Sequence, residues 1–233
     1  MSINSIKAIF KKQCKDLWKN KAILIQFTLF PFLCLMMTFL IKTEQFTHMF
    51  FANLFSTMYI GMTPLSSMNS IIAEEKESGT LSMLRMLRVK SVEYFIGAGS
   101  SVFLMCLLVS ISFGFVAGYS FSQFIMYIVI ESLGIIISMI IGSVIAMFTK
   151  NQSAATSIAT PIRMMISFFP MISMLNPDIK CYFGFLYTQQ INNSLADLSN
   201  NEKFFDCLKI TSITIVVLVG VFILLYKKNN KQE

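Results

Sequence analysis

The chain has 233 residues, 55% of them apolar and only 13% charged, with a formal net charge of +7. Soluble globular domains run nearer roughly 45–50% apolar and about 25% charged, so this composition excludes an ordinary soluble fold and points to an integral membrane protein. The positive excess does not indicate nucleic acid, because Lys and Arg lie between apolar runs and at both ends instead of gathering on one soluble surface.

Residues 2–21 place Lys7, Lys11, Lys12, Lys15, Lys19 and Lys21 among Ile3, Ile6, Phe10, Leu17 and Trp18. Ile6, Phe10 and Leu17 share one helical face, so the stretch reads as an amphipathic helix in the membrane interface, with Trp18 at headgroup level. A signal peptide fits poorly: the charged part is too long, the apolar run after it is span-length, and no small-x-small cleavage pattern follows. The first span is 22–41, about 20 residues for a hydrocarbon core of about 30 Å. A short polar loop holds His48, read as an interfacial residue and not a ligand. The second span, 49–73, contains Gly61 and Pro64. Pro64 is expected to kink it and free a carbonyl for neighbouring helices to cover.

After the charged loop 74–93, the third span is 94–118 and ends in Gly114-x-x-x-Gly118, a close-packing signal in an apolar stretch. In the fourth span, 123–148, Gly134, Ser138, Gly142 and Ala146 recur every four residues, so one flat face should pack on another helix. The fifth span, 156–175, is interrupted by Pro161 and Pro170, and Asn176-Pro177 stops it. Residues 176–207 form an outer segment whose aromatic run 181–191 is suited to dip into the outer leaflet. The sixth span is 208–226, and Lys227, Lys228 and Lys231 follow it.

With both termini inside, the six lysines before the first span, Lys76, Arg85, Arg88, Lys90, Lys150 and the three after the last span are cytoplasmic: fourteen of the nineteen basic residues. The positive-inside rule therefore sets the orientation. Glu131 and Arg163 fall within spans, where a charge faces a bundle interior or a cavity. Their backbone depths differ by roughly 8 Å at 1.5 Å per residue, so they either pair or part, Arg163 then snorkelling inward while Glu131 is neutral or faces a subunit interface; a proton relay would want more acids in the spans, and none is seen. Cys181 and Cys207 share the non-membrane segment and are either bridged or free. No C-x-x-C, G-x-x-x-x-G-K-[ST], H-E-x-x-H or G-x-S-x-G run occurs, and there is a single histidine. Nothing suggests catalysis, a metal site or a nucleotide-binding loop in this chain.

The loop between the second and third spans is the most patterned stretch. It carries Glu74, Glu75, Lys76, Glu77, Arg85, Arg88, Lys90 and Glu93. Leu81, Leu84 and Leu87 recur at three-residue steps, flanked by Met83 and Met86, and Gly79 permits a sharp turn ahead of Thr80. The bland reading is a solvated helix lying on the lipid surface. The run E-x-E-S-G-T-L-x-x-L, then a basic helix, then V-x-x-x-E-Y-x-x-G, resembles the first cytoplasmic loop of type-2 ABC exporter permeases. That resemblance implies an all-α integral membrane fold: six transmembrane helices, an N-terminal interfacial helix, a cytoplasmic coupling helix, and short re-entrant outer helices before the last span. It implies a plasma-membrane location, a second permease chain (identical or not), surrounding membrane lipids, and two copies of an ATPase subunit that holds ATP and Mg. Glu74, Glu75, Glu77, Arg85 and Arg88 would then supply ion pairs to the ATPase, and Leu81, Leu84 and Leu87 an apolar plug behind Gly79 and Thr80. A pathway lined by Phe, Met and Ser/Thr suits an amphipathic cargo such as a peptide; a lipid-linked glycan or a drug is the alternative. A passive channel or ATP-independent carrier, and a scaffold that only recruits a cytoplasmic partner, are the rival classes.

Overall fold

A computed structural model describes residues 3–41, 48–87, 89–175, 184–198 and 201–229. The described residues form nine α-helices and no strand: α1 (Ile3–Lys19), α2 (Lys21–Leu40), α3 (His48–Glu77), α4 (Thr80–Met86), α5 (Ser91–Ala117), α6 (Phe121–Phe148), α7 (Gln152–Leu175), α8 (Tyr187–Leu195) and α9 (Asn201–Asn229). Five of them, α2, α5, α6, α7 and α9, contain segments long and apolar enough to cross a membrane. The protein is an all-α, membrane-embedded chain.

The helix at the expected second span, α3, is long enough but not apolar enough to join those five. Its 30 residues reach about 45 Å at 1.5 Å per residue. Asn53, Ser56, Thr57, Thr63, Ser66, Ser67 and Asn69 all lie on it and all are buried. The physical reason is its place in the bundle. Between Phe51 and Asn69 every residue except Phe55 and Met62 is buried, under α2, α5, α6, α7 and α8. A helix sheathed in protein on all sides meets hydroxyls and amides instead of lipid, so it has no need of an apolar surface.

The four-residue stripe of α6 faces α3. An added Cβ at Gly134 would come within 2.7 Å of Ile60, and one at Gly142 would collide with the Leu65 carbonyl oxygen. Ser138, between them, donates to the Ile60 carbonyl at 2.7 Å. That carbonyl is the one Pro64, four residues on, leaves without an N–H. The same repair recurs on α7. Pro170 frees the Ile166 carbonyl, and Thr188 of α8 donates to it at 2.8 Å. Thus α7, expected to be interrupted at Pro161 and Pro170, runs unbroken from Gln152 to Leu175. The short α8 is buried through Tyr187, Gln189, Ile191 and Asn192, and its Tyr187 hydroxyl lies 2.7 Å from Ser138 Oγ.

Two other expectations change. Gly114 packs against the rings of Phe124 and Tyr127, but Gly118 is the left-handed cap of α5, with φ +70° and open space around it. The G-x-x-x-G spacing therefore combines one packing position with one helix stop. On α1 the buried face is Ile9, Gln13 and Leu17 rather than Ile6, Phe10 and Leu17. Ile9 seats against Gly97 of α5, where an added Cβ would approach within 2.9 Å. Trp18 is exposed. Cys207 is a buried free thiol; Cys181 lies outside the described residues.

Candidate functional site

The end of α3 and the short α4 form the candidate site. Glu75, Lys76 and Glu77 are consecutive, so their side chains leave the helix about 100° apart and reach three different partners. Glu75 turns inward and is buried. Its Oε1 accepts from Lys12 Nζ at 2.6 Å and from Gln13 Nε2 at 2.7 Å, both on α1. The Tyr94 hydroxyl of α5 lies beside the same carboxylate. Lys76 Nζ donates to the carbonyls of Met147 and Thr149, at 3.0 and 2.7 Å, at the C-terminal end of α6. Glu77 Oε2 accepts from the Gln152 backbone N–H at 2.8 Å, at the start of α7. A cation at a helix C-terminus and an anion at an N-terminus both complement the helix dipole. The tip of α3 is therefore fastened to α1, α6 and α7 at once.

This corrects the sequence picture of one acidic cluster. Glu75 and Glu77 are engaged within the chain, whereas Glu74 is exposed. Lys12 and Gln13 were not anticipated as partners of Glu75, nor Tyr94 as its neighbour; only their spatial neighbourhood reveals them. Glu77→Ala should remove the acceptor at the first turn of α7 and cost about 1 kcal/mol, the usual loss for a helix cap. Glu77→Gln, which keeps an oxygen there, should recover most of it. Thermal unfolding of the two purified variants measures the difference.

At Ser78–Gly79 the backbone turns. The Ser78 N–H bonds the Glu74 carbonyl at 2.9 Å, the Gly79 N–H bonds that of Lys76 at 3.3 Å, and Gly79 has φ +72°. No neighbouring atom would touch a Cβ there, so the left-handed backbone alone calls for glycine. The Thr80 hydroxyl meets that of Ser78 at 2.8 Å. On α4, Leu81 and Leu84 are half-buried and pack against the main apolar core. Leu87, expected beside them, is 69% exposed, together with Met83 at 65% and Met86 at 84%. Met83, Met86 and Leu87 stand at i, i+3 and i+4 and so share a face. Three-residue spacing drifts by about 60° per step on a helix, which turns Leu87 away from Leu81. Arg88 and the Arg85 side chain lie outside the described residues.

Beside α4, a cleft of about 390 Å³ runs between α1 and α3, lined by Lys12, Asp16, Lys19, Glu74, Ser78 and Thr80 among others. Elsewhere on α1, partial burial pushes the Cys14 thiol up from its usual range, which favours the protonated form. No group of three His, Cys, Asp or Glu among the described residues is placed to hold a metal.

The two ionisable side chains singled out within the spans do not meet. Arg163 of α7 donates to Ser66 of α3, while Glu131 of α6 is enclosed by Ser56 and Ser110. No protein-family model matches the chain, and no curated protein matches it.

Proposed function

We propose that this chain is the membrane-spanning subunit of an ATP-driven exporter of the type-2 ABC kind, worked by an ATPase carried on separate polypeptides. In this reading α3 is the sixth crossing, buried within the five apolar ones. Both termini and α4 lie on the cytoplasmic side of the plasma membrane, and two permease chains assemble with two ATPase chains that bind ATP and Mg.

The observation that carries the reading is α4 itself. It is a separate short helix held out by Gly79, with Met83, Met86 and Leu87 exposed, and it is rooted in a helix end tied to α1, α6 and α7. An exposed face of two methionines and a leucine beside charged groups suits insertion into an apolar cleft of a partner. Movement of the ATPase would push α4, and the α3 tip would pass that push to three helices together. For the cargo, the exposed Met164, Met165, Phe168 and Met171 of α7 offer an adaptable apolar wall suited to an amphipathic peptide.

This reading requires a P-loop ATPase, expected in a neighbouring reading frame, and the test is co-purification with it, comparing the native protein with Met83→Asp/Met86→Asp. The variant should insert and elute normally, yet bind the ATPase at least tenfold more weakly, since each buried anchor is commonly worth more than about 1 kcal/mol. Undiminished association together with undiminished cargo-stimulated ATP hydrolysis would remove the proposal.

A further inference from the structure

Glu131 is fully buried on α6, and among the described residues no basic side chain pairs with it. Arg163 is bonded to Ser66, about 15 Å along α3 from Ser56 at 1.5 Å per residue. The surroundings of Glu131 are hydroxyls. Ser56 Oγ of α3 bonds one carboxyl oxygen and Ser110 Oγ of α5 bonds the other, the latter at 2.9 Å. The Tyr127 hydroxyl, one turn back on α6, lies 3.1 Å from Ser56 Oγ and 2.8 Å from the Ser110 backbone carbonyl. These contacts close a ring through Glu131, Ser56, Tyr127 and Ser110.

A ring of four hydrogen bonds needs four protons. The three hydroxyls bring one each. If Glu131 is a carboxylate, Ser56 and Ser110 donate to it and Tyr127 donates to the Ser110 carbonyl. Ser56 Oγ and the Tyr127 oxygen then face each other with no hydrogen left between them. If Glu131 is a neutral acid, every proton is used once. Glu131 donates to Ser56, Ser56 to Tyr127, Tyr127 to the Ser110 carbonyl, and Ser110 to the second carboxyl oxygen. A carboxylate here would also be stripped of water with no cation to offset the loss. The other titratable groups around the ring are Tyr59 of α3, Cys106 of α5, Tyr119 after α5 and Cys34 of α2. All are phenols or thiols, uncharged at neutral pH, so none supplies positive charge.

We propose that Glu131 is a proton-binding site: a neutral carboxylic acid whose proton completes the hydroxyl ring joining α3, α5 and α6. When those helices part and water enters, the carboxyl O–H bond breaks and the proton passes to solvent. Proton binding is thereby tied to closure of the bundle, whatever the chain carries.

Infrared spectroscopy of the purified protein in lipid vesicles tests this. The native protein should show the carbonyl stretch of a neutral carboxylic acid, shifted by exchange into heavy water and lost in Glu131→Gln. The glutamine amide can supply the fourth hydrogen, so Glu131→Gln should unfold within about 2 °C of the native protein, whereas Glu131→Ala should fall by about 5 °C or more. Should the glutamine variant fail to fold, Glu131→Asp must move the band instead of abolishing it. A native spectrum with only carboxylate bands, or a band unmoved by all substitutions at Glu131, overturns the proposal. So does a marked rise in the unfolding temperature of Glu131→Gln, the sign of a relieved buried charge.

Discussion

A Gly142→Leu variant should fail to yield a single folded species on detergent extraction. At Gly142 even a Cβ would overlap the Leu65 carbonyl oxygen, with the Asn69 backbone nitrogen 3.2 Å away. These are main-chain atoms of the central helix, not the far end of a flexible side chain. The one available adjustment is to separate α6 from α3. That separation would also draw Gly134 from Ile60 and break the bond between Ser138 and Ile60. Overpacking a core commonly costs about 1–3 kcal/mol; here a whole helix interface must open, against a total stability of about 5–15 kcal/mol. Gly142→Ala should lower stability by about 3 kcal/mol and Gly142→Leu should abolish the monodisperse peak in size-exclusion chromatography. Gly220→Leu, with nothing within 4 Å, is the matched control and should elute like the native protein. Normal elution of Gly142→Leu would show that the α3–α6 contact is looser than described.

Ser138→Ala should be the next most damaging change for its size. It removes one oxygen and leaves two buried groups without their partners, the Ile60 carbonyl and the Tyr187 hydroxyl. Each such orphan costs about 1–3 kcal/mol, so a loss of about 3 kcal/mol is expected. Proline makes the effect separable. In Pro64→Ala the chain regains an N–H that can serve the Ile60 carbonyl within α3. Ser138→Ala should therefore cost less, by about 1 kcal/mol or more, in the Pro64→Ala background than in the native one. A double-mutant cycle on unfolding midpoints reads the difference. Equal costs in both backgrounds would mean that the hydroxyl does not stand in for the missing main-chain bond.

The same two positions show what sequence could and could not say. The four-residue recurrence of Gly134, Ser138, Gly142 and Ala146 identified a packing face, because small side chains at that period leave a groove wherever the helix is placed. That Pro64 would free a carbonyl was equally legible, being a property of the proline ring. The donor was not, since Ser138 lies 74 positions further on and only the packed bundle brings it there. The acidic run misled for a related reason. Adjacent charges look like one patch in a line of text, yet a helix turns each by about 100°, and Glu75, Lys76 and Glu77 go to separate helices. The expectation that Leu87 sits with Leu81 and Leu84 neglected the drift of a three-residue step. The second span was legible as a crossing, but not that it lies at the centre of the bundle, where Asn53, Ser56, Ser66 and Thr63 bond groups on other helices that no local window contains.

That last feature bears on how the protein is made. With α3 as a crossing, as proposed above, a segment carrying buried Asn53, Ser56, Thr57 and Asn69 leaves the ribosome after α1 and α2 and ahead of the rest of the bundle. The helices that cover most of its surface, α5, α6 and α7, are still untranslated. Such a segment gains too little from lipid to partition alone. If α3 crosses the membrane, its integration must therefore be collective, completed as the later helices close around it.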